Sequence, residues 1–245
     1  MVTNRIKHRG TREPDGKSRA DRLLDYIFPP ACVCCGALVY PGSPQDCFCE
    51  SCMKKLEAAT VPRYREVELE GKRIPVLTAV EFSPLRGCPC RALVLRMKNL
   101  RSSRAAYFAA RRLYEVLHML PLCEDTVIAY VPRSRSGKRR YGFDQMEIVA
   151  RKLSHMTGMS VLPCLKNTSG SIQKGLSAAD RIRAAKNKFA VRRSCAERLR
   201  GANVLLIDDV CTTGASVCAC TRALFDAGCA HVFPLCLADA SRDRL

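Results

Sequence analysis

Several features that would place the chain in a membrane or a secretory route are missing from the sequence. It contains no stretch of about 20 consecutive apolar residues, the length that a membrane-spanning helix needs, so we expect no membrane span. A basic amino-terminal stretch is not followed by the apolar run of a signal peptide. Internal repeats and low-complexity segments are absent as well. We therefore expect a cytoplasmic globular protein with a disordered basic tail at residues 1–20.

Histidine is scarce, with four residues in the chain. His118, His155 and His231 have no spacing that indicates a metal site or a catalytic triad, and we interpret them as structural. The candidates for binding chemistry are instead cysteine, aspartate and the hydroxyl residues.

Positive charge is what the chain has in excess. It carries 41 lysines and arginines against 23 aspartates and glutamates, a formal net charge of +18. This balance indicates an anionic partner, either a phosphorylated small molecule or nucleic acid, and charge alone does not choose between them. Many of the basic residues are also expected to solvate helix faces.

Strand-like and helix-like segments alternate from about residue 76 onward. Apolar runs predict strands at residues 76–82, 126–131, 161–162, 204–207 and 232–237. Helices are predicted after Ser102 or Ser103, from Asp144 to about Gly158, and over residues 217–227. The alternation predicts an α/β fold in which helices cover both faces of a parallel sheet. We assign residues 76–245 to this domain and residues 21–60 to a small module that contains a cysteine cluster; residues 62–75 form a strand or a connector.

Six of the sixteen cysteines lie between positions 32 and 52. The pairs Cys32-x-x-Cys35 and Cys49-x-x-Cys52 form two knuckles, and four thiolates from two such turns suit the tetrahedral preference of Zn²⁺. We interpret the cluster as a zinc-ribbon-like module with four cysteine ligands, whose metal is structural because four protein ligands leave no open position. Two further thiols of the cluster are able to replace a ligand: Cys34 and Cys47. The alternatives are a redox pair or buried free thiols.

Residues 203–216, NVLLIDDVCTTGAS, have the pattern of a phosphate-binding turn. An apolar strand delivers Asp208 and Asp209 at its carboxyl end, where ligands bind in open α/β sheets. Small and hydroxyl residues then lead into a helix, whose first N–H groups attract a phosphate. These residues are Thr212, Thr213, Gly214, Ala215 and Ser216. Adjacent carboxylates suit ribose hydroxyls or a magnesium ion. A plain strand end with capping aspartates is the simpler alternative.

The same run resembles the phosphoribosyl-pyrophosphate signature of type I phosphoribosyltransferases. Across residues 21–240 the chain resembles the ComF/GntX-type competence proteins, in which a zinc-binding segment precedes a phosphoribosyltransferase-like domain. The family landmarks occur in order: FPPACVCCG, CESCMKKL, VPRSRSGKRRYGFDQ, QKGLSAADR and LLIDDVCTTGAS. The resemblance implies a phosphoribosyltransferase-type fold for the α/β domain and 5-phosphoribosyl-1-pyrophosphate as its ligand.

The resemblance also implies roles for individual residues. Asp208 and Asp209 would contact the ribose hydroxyls, directly or through magnesium, and residues 212–216 would hold the 5-phosphate. Arg133 and Ser134 would lie where such enzymes bind pyrophosphate.

Other matched positions include both agreements and departures. Lys98 occupies a place where the family usually has lysine, and residues 168–181 would form a mobile cover over the site. The family usually has arginine at Tyr141, asparagine at Asp144 and asparagine at Ala184. Because these departures lie outside the phosphate-binding turn, we expect them to affect turnover more than ligand binding.

Two functions follow from the resemblance. The first is a phosphoribosyltransferase-type enzyme that uses magnesium and an unidentified acceptor base. The second is a non-catalytic DNA-uptake protein that binds single-stranded DNA and a helicase-type partner. The basic segment at residues 133–140 would attract either pyrophosphate or a nucleic-acid backbone. Tyr141 and Phe143 would either stack on bases or pack against the helix start.

Overall fold

The structure is a computed structural model of the chain, and it describes residues 27, 29–39, 47–83, 85, 87–168 and 188–240. The predicted tail at residues 1–20 and all but the first position of the predicted cover at 168–181 lie outside the described residues. In the part of the chain that is described, no helix has both the length and the apolar character needed to cross a bilayer.

A five-stranded mixed sheet forms the centre of the fold. The strands of the chain are β1 (Arg63–Leu69), β2 (Lys72–Glu81), β3 (Val127–Tyr130), β4 (Leu165–Asn167), β5 (Phe189–Val191), β6 (Asn203–Cys211) and β7 (His231–Asp239). The central sheet has the order β1-β2-β7-β6-β3, and β4 pairs with β5 in a second, two-stranded sheet. The pairs β2–β7, β7–β6 and β6–β3 are parallel, whereas β1 is antiparallel to β2. The predicted α/β class is therefore confirmed, with one antiparallel edge strand added.

The edge strand exists because a tight turn precedes β2. Glu70 and Gly71 both have positive φ, 51° and 79°. A two-residue turn with this backbone joins antiparallel strands of a hairpin. Residues 62–75, which the sequence leaves open as a strand or a connector, thus contribute β1 and the start of β2.

Capping residues mark several of the helix boundaries. They are α1 (Glu50–Ala58), α2 (Pro89–Asn99), α3 (Ser103–Val116), α4 (Arg135–Tyr141), α5 (Gln145–Thr157), α6 (Ala196–Leu199) and α7 (Ala215–Asp226). The Ser102 hydroxyl accepts a hydrogen bond from the N–H of Ala105, and the Asp144 carboxylate accepts one from the N–H of Met146. Gly158 ends α5 with a φ of 79°. These three boundaries agree with the sequence prediction, whereas α2 and α4 are not predicted from the sequence.

Successive residues of β6 point to opposite faces of the sheet. Leu205 and Ile207 belong to a core cluster that also contains residues of α3 and α5. Val204 and Leu206 belong to a second cluster, which contains residues of α7. Because side chains alternate along a strand, the continuous apolar run of β6 is buried on both sides. The predicted covering of both sheet faces by helices is confirmed.

The cysteine-rich module packs on the same core as α3. The rings of Phe48 and Phe108 meet edge to face, with centroids 5.2 Å apart and an interplanar angle of 72°. Phe48, Met53 and Leu56 are fully buried in the cluster that contains the α3 residues. The module and the α/β domain therefore share one hydrophobic core.

Candidate phosphate site and candidate metal centre

The loop after β6 leads directly into α7. Gly214 is the residue before the helix and has a φ of 76°, a left-handed conformation that favours glycine. Thr212 and Thr213 are exposed, and the N–H of Ala215 lies 3.4 Å from the hydroxyl of Thr213. Exposed hydroxyls beside the positive end of a 12-residue helix form an arrangement that is able to hold a phosphate.

Strand β1 packs against this loop and fixes its start. A Cβ atom placed on Gly214 would lie 2.5 Å from Cγ1 of Val67, so no larger residue fits there. The guanidinium of Arg65 donates to the carbonyl oxygen of Cys211 at 3.1 Å and pairs with Oδ1 of Asp239 at 3.2 Å. No sequence motif in β1 signals this role, because these contacts join residues that are far apart in the chain.

The two aspartates at the end of β6 are buried, and their surroundings differ. Asp209 pairs with the ammonium of Lys98 at 3.1 Å through Oδ1, and its Oδ2 accepts from Nε2 of Gln145 at 3.0 Å. Asp208 uses Oδ1 to accept the N–H of Asp209 at 2.8 Å. Burial, together with the neighbouring Asp209 charge, raises the pKa of Asp208 well above its usual range. Sequence reasoning identifies the pair and the family lysine but not the role of Gln145.

This arrangement does not fit a magnesium ion held by the protein. Mg²⁺ requires open, hard oxygen ligands in a near-octahedral arrangement. Here both oxygens of Asp209 already have donors, and burial favours the protonated form of Asp208. Among the described residues, the one group of three or more cysteine, histidine or acidic side chains close enough to share an ion is the cysteine cluster.

The raised pKa of Asp208 predicts how the stability of the protein depends on pH. Since the folded pKa exceeds the unfolded one, the stability contributed by the protonated carboxyl is complete below about pH 4 and is lost as pH rises through the folded pKa. Asp208→Asn cannot ionise, and its amide oxygen still accepts the N–H of Asp209. We expect the variant to be more stable than the parent protein at pH 8, by an amount that shrinks towards pH 4. Urea unfolding across this range measures the difference.

The exposed Asp226→Asn is the matched control for this experiment, because Asp226 lies on the surface of α7. A difference between Asp208→Asn and the parent protein that stays constant with pH would contradict the assignment.

The segment after β3 is organised around a buried aspartate. Asp144 is 4% exposed and accepts the N–H of Arg133 at 2.9 Å, while the Lys138 ammonium lies 3.1 Å from the same oxygen. The Arg133 guanidinium lies 4.1 Å from the centroid of the Tyr141 ring and 5.5 Å from that of Phe143. Both rings thus pack against the arginine, which favours packing over base stacking as their role. The aspartate that departs from the family pattern supplies the negative charge for Lys138.

Ser134 begins the short helix α4, which contains most of the basic segment. Its hydroxyl accepts the N–H of Gly137 at 3.1 Å, which makes it the N-cap. The internal glycine obscures this helix in the sequence. Because β3 and β6 are parallel neighbours, Arg133 and Ser134 lie at the same edge of the sheet as the aspartate pair. Gln145 connects the two strand ends through its contact with Asp209.

The four predicted zinc ligands come together. The sulfur atoms of Cys32, Cys35, Cys49 and Cys52 all lie within 4.8 Å of one another, and the Cys35 and Cys49 sulfurs are 3.6 Å apart. Four sulfurs at ~2.3 Å from a tetrahedral zinc ion would be about 3.8 Å apart, so the cluster fits a structural zinc. Burial alone would raise the pKa of Cys32, but hydrogen bonds with the backbone of Cys35, Cys49 and Cys34 lower it to about 7. Burial raises the pKa of Cys52 instead, so a metal has to displace protons from the cluster as it binds.

The two spare thiols of the module lie outside this set. The Cys34 sulfur contacts the carbonyl oxygen of Gly87 at 3.4 Å, and Cys47 is buried. All sixteen cysteines of the chain are free of disulfides. The geometry therefore selects Cys32, Cys35, Cys49 and Cys52 as the candidate metal ligands.

The fold and the cluster define an α/β protein with an amino-terminal module able to bind a structural metal. No family model matches the chain. Among curated proteins, the DNA utilization protein YhgH of Salmonella typhi is 31% identical over 157 residues, which are 61% of this chain and 66% of the relative. The match thus spans slightly less than two thirds of the relative's length. It confirms that the chain is similar to the ComF/GntX-type proteins.

Solved structures with partial similarity are also found. The allosteric regulatory enzyme of purine biosynthesis is 14% identical with a TM-score of 0.41, and the match covers 59% of this chain and 30% of that enzyme's chain. Glutamine phosphoribosylpyrophosphate amidotransferase from B. subtilis is 17% identical with a TM-score of 0.37, and the match covers 57% of this chain and 29% of that enzyme's chain. Hypoxanthine phosphoribosyl transferase from Trypanosoma cruzi is 14% identical with a TM-score of 0.35, and the match covers 64% of this chain and 70% of that enzyme's chain.

Proposed function

We propose that the chain binds 5-phosphoribosyl-1-pyrophosphate at the carboxyl end of β6. The observation that carries this proposal is a buried aspartate pair followed at once by an exposed threonine loop and the start of α7. Asp208 and Asp209 contact the ribose hydroxyls. The 5-phosphate binds residues 212–216, namely Thr212, Thr213, Gly214, Ala215 and Ser216. The carboxylate of Asp209 accepts hydrogen bonds from hydroxyls, and the protonated carboxyl of Asp208 both donates and accepts. Helix N–H groups and threonine hydroxyls donate to phosphate oxygens.

The pyrophosphate binds beside the end of β3. Arg133 and Ser134 lie there, and the following helix carries exposed Arg135, Arg139 and Arg140. Positive side chains around one edge of the sheet raise the local concentration of a polyanion. The resemblance implies magnesium. In this proposal the ion arrives bound to the pyrophosphate of the ligand and does not occupy a preformed protein site.

The reaction that this ligand supports is phosphoribosyl transfer. A nitrogen atom of an acceptor base forms a bond to the anomeric carbon while the bond from that carbon to the pyrophosphate oxygen breaks. Pyrophosphate leaves with the electron pair, and the proton of the nitrogen passes to solvent. The protein contributes by positioning the ribose and by placing positive charge near the leaving group. No acceptor pocket among the described residues identifies the base.

A second candidate function is binding of single-stranded DNA, together with a helicase-type partner. The net charge of +18, the exposed arginines of α4 and a relative that is a DNA utilization protein favour it. Binding to the DNA backbone releases counterions, so its affinity falls steeply with salt, whereas a small-ligand site built from directed hydrogen bonds is less sensitive. DNA binding on α4 is compatible with the phosphoribosyl site, and the phosphoribosyl site does not require it.

We also propose that the four-cysteine cluster holds one structural Zn²⁺ per chain. The sulfur positions support the ion. Its role is to fix residues 29–39 and 47–60 against the core that contains α3.

The acidic pair provides the test of the phosphoribosyl proposal. Asp208→Asn/Asp209→Asn keeps the side-chain shapes but removes the charge of Asp209 and the carboxyl group of Asp208. We expect affinity for 5-phosphoribosyl-1-pyrophosphate to fall at least about tenfold, since one charge-assisted hydrogen bond is worth ~1.5–3 kcal/mol. Calorimetric titration measures the change.

Asp125→Asn/Asp226→Asn is the matched control for the pair, because it removes two exposed charges elsewhere on the surface. Equal affinity in the parent protein and in the Asp208/Asp209 variant would exclude the ribose assignment and leave DNA binding as the better account.

A further inference from the structure

Asp209 is held by two donors from distant parts of the chain. The ammonium of Lys98, near the end of α2, lies 3.1 Å from Oδ1, and the amide of Gln145, the first residue of α5, donates to Oδ2 at 3.0 Å. The carboxylate is 8% exposed, whereas the lysine side chain is 37% exposed. Three elements thus converge on one buried carboxylate, which distinguishes this contact from the surface ion pairs of the helices.

A buried carboxylate needs a counter-charge, because burial removes the water that stabilises its ionised form. Lysine offers a compact positive charge with three donors. In this position the ammonium balances the carboxylate at the point where the resemblance would place a metal ion. The lysine side chain is partly exposed, so its charge is also accessible from solvent.

Gln145 adds a second feature to the site. Because its Nε2 donates to Asp209, the orientation of the amide is fixed and its Oε1 points elsewhere. This oxygen is buried and has no hydrogen-bond partner among the residues that the structure describes. A buried acceptor without a partner is uncommon, and here it lies beside the carboxylate that we assign to the ribose.

We infer that Lys98 is a positioning residue which, through its ion pair with Asp209, supplies the positive charge that a protein-bound magnesium ion would otherwise supply. The inference rests on the proposed function, since it concerns binding of 5-phosphoribosyl-1-pyrophosphate at the same site. Its consequence is that the protein's own contribution to binding does not depend on a divalent metal. Removing the lysine charge creates that dependence, because Asp209 then lacks a cation.

The test compares ligand affinity with magnesium and with a chelator in four proteins. They are the parent chain, Lys98→Gln, Lys98→Arg and Lys98→Gln/Asp209→Asn. Magnesium also binds the pyrophosphate of the free ligand, but this effect is common to all four. The readout is therefore one ratio in each protein, the dissociation constant with chelator divided by the dissociation constant with magnesium. A merely structural role of Lys98 would not change this ratio.

We expect the ratio to be at least about tenfold larger in Lys98→Gln than in the parent protein, the size of one charge-assisted contact. Lys98→Arg keeps the charge and is expected to keep the parent ratio. Lys98→Gln/Asp209→Asn removes both charges, so its ratio returns towards the parent value even though its affinity is lower. This double variant leaves no unpaired carboxylate, and a ratio larger than that of the parent protein would show that the lysine does not act through Asp209.

Lys54→Gln controls for the loss of one positive charge, because Lys54 forms an exposed pair with Glu50 on α1. Equal ratios in Lys98→Gln and the parent protein would overturn the inference while leaving the proposed function standing. No binding by the parent protein in either condition would overturn the proposed function and the inference with it.

Discussion

Replacing one of the four cysteines that we propose as zinc ligands is expected to destabilise the whole chain. Cys49→Ser removes a thiolate from the four-sulfur cluster, and structural zinc contributes ~10–16 kcal/mol in small zinc-binding peptides. The module shares its core with α3, where Phe48 packs on Phe108. Since a loss of 1 kcal/mol lowers Tm by roughly 2–4 °C for a chain of this size, we expect a fall of about 10 °C or more. Thermal unfolding followed by circular dichroism measures it.

Cys34→Ser is the matched control for the zinc experiment, because Cys34 lies in the same module but outside the four-sulfur set. Elemental analysis is expected to find one zinc per parent chain and less in Cys49→Ser. A parent protein without zinc, or equal Tm values for the two variants, would contradict the structural role of the metal.

Replacing Gly214 by valine is expected to abolish ligand binding. The residue has a φ of 76°, which costs a β-branched side chain about 1–3 kcal/mol, and its Cβ would collide with Val67. The loop must therefore move, and the N–H groups at the start of α7 no longer converge on the position that we propose for the phosphate. We expect affinity for 5-phosphoribosyl-1-pyrophosphate to fall at least about a hundredfold, as for the loss of two charge-assisted hydrogen bonds. The fold should persist, because the loop lies at the edge of the sheet.

A second pair of variants separates backbone strain from collision. Gly214→Ala places a methyl group against Val67. Gly214→Ala/Val67→Ala removes the 2.5 Å contact with Cγ1, but it leaves the 2.9 Å contact with Cβ and does not relieve φ. We expect the double variant to regain part of the binding that Gly214→Ala loses. Calorimetry measures affinity, and circular dichroism checks that each variant is folded. Parent-like affinity in Gly214→Val would show that the phosphate binds elsewhere.

The sequence predicts best those elements whose signals are local. The apolar run of β6, the Ser102 cap of α3 and the Gly158 end of α5 each depend on residues close in the chain, and the structure contains all three. The spacing of the cysteine pairs likewise identifies the cluster, since two knuckles must bring four sulfurs together. Helix α4 is not predicted because Gly137 and consecutive basic residues resemble a loop.

The charge state of the phosphate site depends on long-range contacts and could not be predicted. The motif suggests two free carboxylates, but the ion pair of Asp209 with Lys98 and its hydrogen bond from Gln145 join α2, α5 and β6. The raised pKa of Asp208 follows from burial, which a motif does not report. The contact of Arg65 with the carbonyl of Cys211 is equally invisible in the sequence.

One titration tests the central claim most directly. The parent protein is titrated calorimetrically with 5-phosphoribosyl-1-pyrophosphate, with pyrophosphate alone and with a single-stranded oligonucleotide, each at low and at moderate salt. We predict binding of one 5-phosphoribosyl-1-pyrophosphate per chain, tighter than pyrophosphate because the ribose adds contacts with the aspartate pair, and with little change between the two salts. Absence of this binding, or an affinity no better than that of pyrophosphate, would contradict the account.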